Sequence, residues 1–369
     1  MVATRETPPR DAGERFPEAS SCASRRGYGR TVAKFEKRRA EMSKIVLHVG
    51  THKTGTTTVQ DTFALNRELL ERVGLIFPKI GRANGQHGLV MDWIKLPEFY
   101  HLDVSSKDAW KRLAKEHARS DRTVLISTEE LSRGNPNSRV DLRELRDLIS
   151  DFDEVKVVCC LRNQISFIQS IYLQVVKSSI NLNWTNFLES SLTSKTATGL
   201  YLDYSDLRSY FETGFSKSEV VFFSYEQSVG ASQGIIGRIM AECGLEEHWG
   251  ALRTLPAGHS NVSPDPLATW AAAHVLGSRP FQPWLVEVAR ETLDDLGGAN
   301  KKTTIFTKAE YDRLRSTFLP LNEKFNLGES EGDEDLSISA FPKADNLMFR
   351  DALTPAFWVN LSRHLIDRN

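Results

Sequence analysis

The sequence predicts an α/β protein: a parallel sheet with helices on both faces, followed by a helical C-terminal extension. Two observations carry this. Short, fully apolar runs alternate with helical periodicity as far as about residue 250, and beyond it only the helical periodicity continues. A strand covered on both faces reads as an unbroken apolar run, and strands alternating with helices build a parallel sheet.

Residues 1–42 mix Pro, Arg, Glu, Ser and Gly without apolar periodicity and are expected to form a disordered tail. They contain no apolar stretch of the signal-peptide kind, and Glu6, Asp11, Glu14 and Glu18 argue against a transit peptide. Ile45-Val46-Leu47-His48-Val49 is the first strand. A helix is predicted over 56–73, where Val59, Phe63, Leu69, Leu70 and Val73 recur near a period of 3.6. Further strands are predicted at 75–77, 124–126, 155–161 and 220–223, with helices at 142–149, 165–177 and 204–215. Past residue 250, helices are expected at 264–275, 283–296, 308–322 and 355–366, with an acidic loop at 329–335. The expected division is therefore a tail (1–42), an α/β core (43–250) and a helical extension (251–369).

Composition narrows the function classes. The chain has 369 residues, 40 % apolar and 26 % charged, which is ordinary globular composition. A formal net charge of −1 argues against a non-specific grip on nucleic acid and against a polybasic membrane-surface protein. No window approaches the ~18 consecutive apolar residues of a spanning helix, so no transmembrane segment is expected. Of the four cysteines, Cys22, Cys159, Cys160 and Cys243, none has metal-site spacing. Cys159 and Cys160 fall within a strand run, where they read as small buried hydrophobes, and the expected location is a reducing cytoplasm.

The chemistry concentrates between the first strand and the first helix, in Gly50-Thr51-His52-Lys53-Thr54-Gly55-Thr56-Thr57. A glycine-rich turn that follows a buried strand and opens a helix is an anion site, because free backbone N–H groups and the helix dipole converge there. Gly50 and Gly55 allow the tight path, Lys53 adds a positive charge, and Thr54, Thr56 and Thr57 supply hydroxyls. A Walker A loop has its lysine directly after the second glycine. Here Lys53 precedes Gly55 by two residues, a position suited to the bridging oxygen of a single anhydride.

That order resembles the 5′-phosphosulfate loop of the sulfotransferases that use 3′-phosphoadenosine 5′-phosphosulfate (PAPS). The string His48-Val49-Gly50-Thr51-His52-Lys53-Thr54-Gly55-Thr56-Thr57-Thr58-Val59-Gln60 is most similar to their bacterial branch. The resemblance implies a three-layer, P-loop NTPase-like fold, and it implies an arginine at a strand end, with a serine eight residues on, holding the donor's 3′-phosphate. Arg162 and Ser170 stand at that spacing, although Asn163-Gln164 replaces the family's usual Asp-Pro or Asn-Pro and Ser166 is a rival hydroxyl. A weaker likeness runs from Gly199-Leu200-Tyr201 to Ser224-Tyr225-Glu226, so the resemblance covers about residues 44–245.

Sulfuryl transfer resembles phosphoryl transfer in being loose, in-line and governed by positioning. The sulfuryl group carries less charge than a phosphoryl group, so no metal is expected. Lys53 is the expected catalytic cation for the leaving phosphate oxygen. The general base is expected to be Glu129, at the end of the 124–126 strand, or His87, in the loop after the second strand. The plainer alternatives are a first-turn carboxylate for Glu129, with Thr128 as helix cap and Glu130 solvated, and an exposed loop histidine for His87. His52 is expected to line the donor pocket, and His48 to be a hydrogen-bonded core residue. Lys177, about two turns past Ser170, reads as a contact to donor or acceptor or as a solvated helix lysine. Asn261 and Ser263 read as a capping loop. The acceptor is expected to be a small molecule or glycan. The competing readings are a P-loop kinase or NTPase and a non-catalytic nucleotide-binding module.

Overall fold

The computed structural model describes residues 42–368 apart from 136–137, 179–181, 254, 256–263, 300, 330–335, 337 and 339–340. The expected tail, except Met42, lies outside the described residues, as do Asn261 and Ser263.

Five parallel strands form the central sheet: β1 (Lys44–Gly50), β2 (Leu75–Ile76), β3 (Thr123–Ser127), β4 (Glu154–Leu161) and β5 (Val220–Ser224). Their order is β2-β3-β1-β4-β5, so the first strand is central. The chain leaves β1 toward one edge and returns to build β4 on the other side. The crevice opened at the carboxyl ends of β3, β1 and β4 is where open α/β sheets bind ligands. The α/β parallel architecture expected from the apolar runs is therefore the one observed.

Period-two alternation sorts the strand residues between two cores. Val46, Leu125, Val158, Cys160 and Phe223 pack with Val59 and Phe63 of helix α1 (Thr56–Leu65) on one face. Ile45, Leu47, Ile126, Val157, Cys159 and Phe222 pack with Trp110, Leu145 and Tyr204 on the other. Cys159 and Cys160 thus point to opposite faces, both fully buried. The helix expected over 56–73 breaks at Asn66, whose side chain bonds the main chain of Arg253 in both directions (3.0 and 2.8 Å). No local pattern announces a partner 187 residues away.

Helix α2 (Gln164–Lys177) belongs to neither sheet face. Its apolar side, including Ile165, Phe167, Ile168 and Ile171, enters a third core with Trp270, Phe306 and Phe318 from the C-terminal region. Two polar locks fix it there. Gln164 and Asn322 exchange side-chain hydrogen bonds (2.7 and 2.9 Å), and Gln169 Oε1 accepts from Thr304 Oγ1 (2.9 Å) and Ile305 N (3.0 Å).

The C-terminal part is helical as expected: α3 (Pro266–Leu276), α4 (Pro283–Leu293), α5 (Lys308–Glu329) and α6 (Pro355–Asp367). One short parallel pair, Lys302–Thr303 with Leu347–Met348, is an exception to the expected end of strand structure. Two residues are too few to give an apolar run.

Candidate active site

The loop between β1 and α1 bends through three residues of positive φ: Gly50 (+81°), Lys53 (+62°) and Gly55 (+80°). A left-handed lysine costs about 1 kcal/mol or more unless its surroundings enforce it. The loop is fixed to β4 by Thr51, whose backbone N donates to Cys160 O (2.8 Å). The Thr54 hydroxyl donates back to Thr51 O, so it holds the loop's shape and is not free for a ligand. Gly55 caps α1 without a side-chain partner, leaving the first amide groups of the helix open to an anion. Thr57 is exposed. Gly50 meets a second demand: a Cβ there would come within 2.9 Å of the Cβ of Glu129.

On one side of the loop lie three cations. Lys53 Nζ donates to Gln174 Oε1 of α2 (3.2 Å). Arg162 Nη1 donates to the carbonyl of Lys53 (2.9 Å), and its guanidinium stacks 5.0 Å from the Tyr225 ring centroid. Its Nε is buried without a hydrogen-bond partner. Lys177 ends α2, half-buried. Burial pushes the Lys53 ammonium down, Lys177 and Arg162 push it further, and Glu129 opposes them. Among the described residues no carboxylate forms an ion pair with any of the three. Ser166, Ser170, Gln174 and Lys177 recur at the spacing of a single helix face, the polar face of α2. Ser166 and Arg162 line a cavity of about 640 Å³, while Ser170 sits one turn further along and outside it.

On the other side the groups are paired. The Glu129 carboxylate accepts from Thr56 Oγ1 (3.0 Å) and Gln60 Nε2 (2.9 Å), one donor to each oxygen. His87 Nδ1 lies 3.9 Å from Glu129 Oε2 and 3.0 Å from Thr128 Oγ1. The two candidate bases are thus neighbours. Thr128 spends its hydroxyl on His87 and makes no side-chain cap, and His87 is buried, not an exposed loop histidine. Burial pushes the Glu129 carboxyl up, but His87 and His52 outweigh it and hold the group below its usual range. Glu130 corrects an expectation. It is not solvated but buried, 3.5 Å from His52 Nε2 and paired with Arg133. Burial opposes ionisation there, yet His52 and Arg133 bring its carboxyl down to about 2. His48 is the expected core histidine, with Nδ1 2.8 Å from Ser127 Oγ and its basicity lowered to about 4 by burial against a smaller opposing effect of Glu129.

Four residues of the site, Gln60, Gln174, Tyr100 and Tyr225, are given no role by the sequence analysis. Gln60 had a usable signal: it lies four residues after Thr56, hence on the same face of α1. Gln174 follows Ser166 and Ser170 at the same interval. Tyr100, whose ring meets His87 edge-on at 4.7 Å, and Tyr225, under Arg162, arrive from distant segments.

Among the described residues no group of three or more His, Cys, Asp or Glu is placed to hold a metal ion, and no helix is long and apolar enough to cross a membrane. No protein-family model matches the chain, and no curated protein matches it. Among solved structures, a sulfotransferase from Alicyclobacillus acidocaldarius is similar, at 17 % identity over 63 % of this chain and 92 % of that one, with a TM-score of 0.37. That is a loose likeness, and it says nothing of donor or acceptor.

Proposed function

We propose that this chain is a sulfotransferase that moves the sulfuryl group of PAPS to a hydroxyl or amine of a carbohydrate, glycolipid or small metabolite. The observation that carries the reading is a set of three cations, Lys53, Arg162 and Lys177, with no carboxylate partner among the described residues, near an ionised and oriented carboxylate, Glu129. Unpaired cations converging on a helix N-terminus suit a polyanion, and a carboxylate within the same site suits removal of a proton from a neutral acceptor.

In this reading the open amides of α1 and Lys53 hold the 5′-phosphosulfate. Arg162, with Ser170 or Ser166, takes the 3′-phosphate, for which a guanidinium fork is the matching donor. The acceptor oxygen or nitrogen attacks sulfur, and the bond from sulfur to the bridging oxygen breaks. Lys53 offsets the charge that grows on the departing phosphate oxygen. The acceptor proton passes to Glu129, oriented by Thr56 and Gln60, with His87 beside it. The products are the sulfated acceptor and 3′-phosphoadenosine 5′-phosphate (PAP). No metal is required for this chemistry.

Calorimetry decides between this reading and a nucleotide kinase. Titration with PAP is expected to give micromolar binding and titration with ATP–Mg²⁺ none; the reverse pattern overturns the proposal. Binding of PAP without turnover of any acceptor by a protein whose Glu129→Gln variant behaves identically would favour a non-catalytic binding module.

A further inference from the structure

A cavity of about 840 Å³ lies outside the candidate active site, along the β2 edge of the sheet. None of Lys53, His87, Glu129 and Arg162 lines it. Its apolar wall is made by Ile76, Phe77, Ile80, Leu102, Ala109 and Leu113.

The charged residues that share the cavity do not balance. Arg122 pairs with Glu71 (3.1 Å), and His117 Nε2 lies 3.7 Å from Glu116. Lys79 and Arg112 are exposed and have neither an ion pair nor a hydrogen bond among the described residues. Arg67 spends Nε on the carbonyl of Phe77 (3.1 Å) and Nη1 on that of Ala64 (3.5 Å), and among the described residues no carboxylate answers its charge. Burial pushes its guanidinium down, so a nearby anion would favour the charged form. Lys79, Arg112 and Arg67 thus stand against Asp103 alone.

An added strand does not suit this edge. β2 is two residues long, Pro78 follows Phe77 without an amide hydrogen, and Arg67 already takes the Phe77 carbonyl. The volume, in contrast, falls within the ~300–1,000 Å³ usual for small-molecule sites, where an apolar lining supplies area and a few polar groups fix orientation.

We infer that this cavity binds a small amphipathic organic anion, with its ring or short hydrocarbon body on the apolar wall and its carboxylate, sulfate or sulfonate group toward Lys79, Arg112 and Arg67. The inference is independent of the PAPS reading, because no residue of the phosphate loop takes part.

The test is calorimetric titration of the full chain with naphthalene-2-sulfonate, and with its two halves, 2-naphthol for the ring and sodium sulfate for the charge. The wild type is expected to bind the sulfonate with a Kd of about 10–100 μM, and each half about tenfold more weakly or worse. Variants are first shown by thermal melting to be folded. Lys79→Ala combined with Arg112→Ala is expected to weaken the sulfonate about 10- to 100-fold, the loss of two charge-assisted contacts. Ala109→Phe, which fills the cavity, is expected to abolish binding, and Lys53→Ala, in the phosphate loop, to leave it unchanged. The inference is overturned if the wild type does not bind the sulfonate, if 2-naphthol binds as tightly, or if the double variant keeps full affinity. A loss in Lys53→Ala equal to that in the double variant also overturns it, by placing the probe at the phosphate loop. The double variant alone decides the matter should Ala109→Phe fail to fold.

Discussion

The two sides of the phosphate loop are built on opposite plans. On the α2 side, Lys53, Arg162 and Lys177 gather positive charge with no carboxylate ion-paired to them among the described residues. On the β3 side, Glu129 and Glu130 each have two partners, and their histidine neighbours hold both carboxyls below their usual range. Charge left unbalanced within a fold destabilises it, whereas a satisfied network holds its members in one geometry. The difference teaches which side gains from an anion under the proposed reading and which side is already arranged.

The contrast can be broken most directly at Lys53. Lys53→Ala is expected to lower kcat/KM by about 10² to 10³ while leaving urea stability unchanged or slightly raised, since a repelling charge is removed. A loss of both activity and stability would mean that the lysine is structural. Glu129→Gln is the mirror case. Turnover should fall to background, and stability should drop by about 1–3 kcal/mol in urea, because either Thr56 or Gln60 then faces an NH2 in place of its acceptor oxygen. Full activity in Glu129→Gln with a dead His87→Ala would transfer the base to His87.

His48 probes the paired side through pH. Its folded-state basicity is depressed to about 4 from 6.5, so the unfolded chain takes up the proton first as pH falls. Its contribution is complete above about pH 6.5 and is lost between there and pH 4, on the order of 3 kcal/mol in all. His48→Gln should flatten that part of a urea-midpoint pH series, and an unchanged slope would reject the assignment. The smallest expected effect is at Arg162. Arg162→Ala should weaken PAP about 10- to 100-fold at unchanged affinity for adenosine 5′-phosphosulfate, which lacks the 3′-phosphate. Equal losses for both would place Arg162 on the loop alone, through its bond to the Lys53 carbonyl.

What could be read in the sequence was local. The strand of β1 and the turn through Gly50, Lys53 and Gly55 are short-range patterns, and short-range patterns survive without knowledge of packing. The burial of Glu130 is not legible in the sequence, because a strand end does not reveal which carboxylate of an adjacent pair turns inward; the Arg133 and His52 contacts decide that. Asn66 broke an apparently continuous helix for a partner far along the chain. Tyr100 and Tyr225 reach the site only through tertiary contact, and an aromatic in a loop or after a strand has no pattern that separates such a role from core packing.

The seating of α2 has a practical side for engineering. The helix that carries Ser170, Gln174 and Lys177 is bolted at Gln164 and Gln169 to Asn322, Thr304 and Ile305. A chimera that exchanges the C-terminal helices for those of another protein therefore resets the seating of Gln174 against Lys53, even if every residue of the loop is kept.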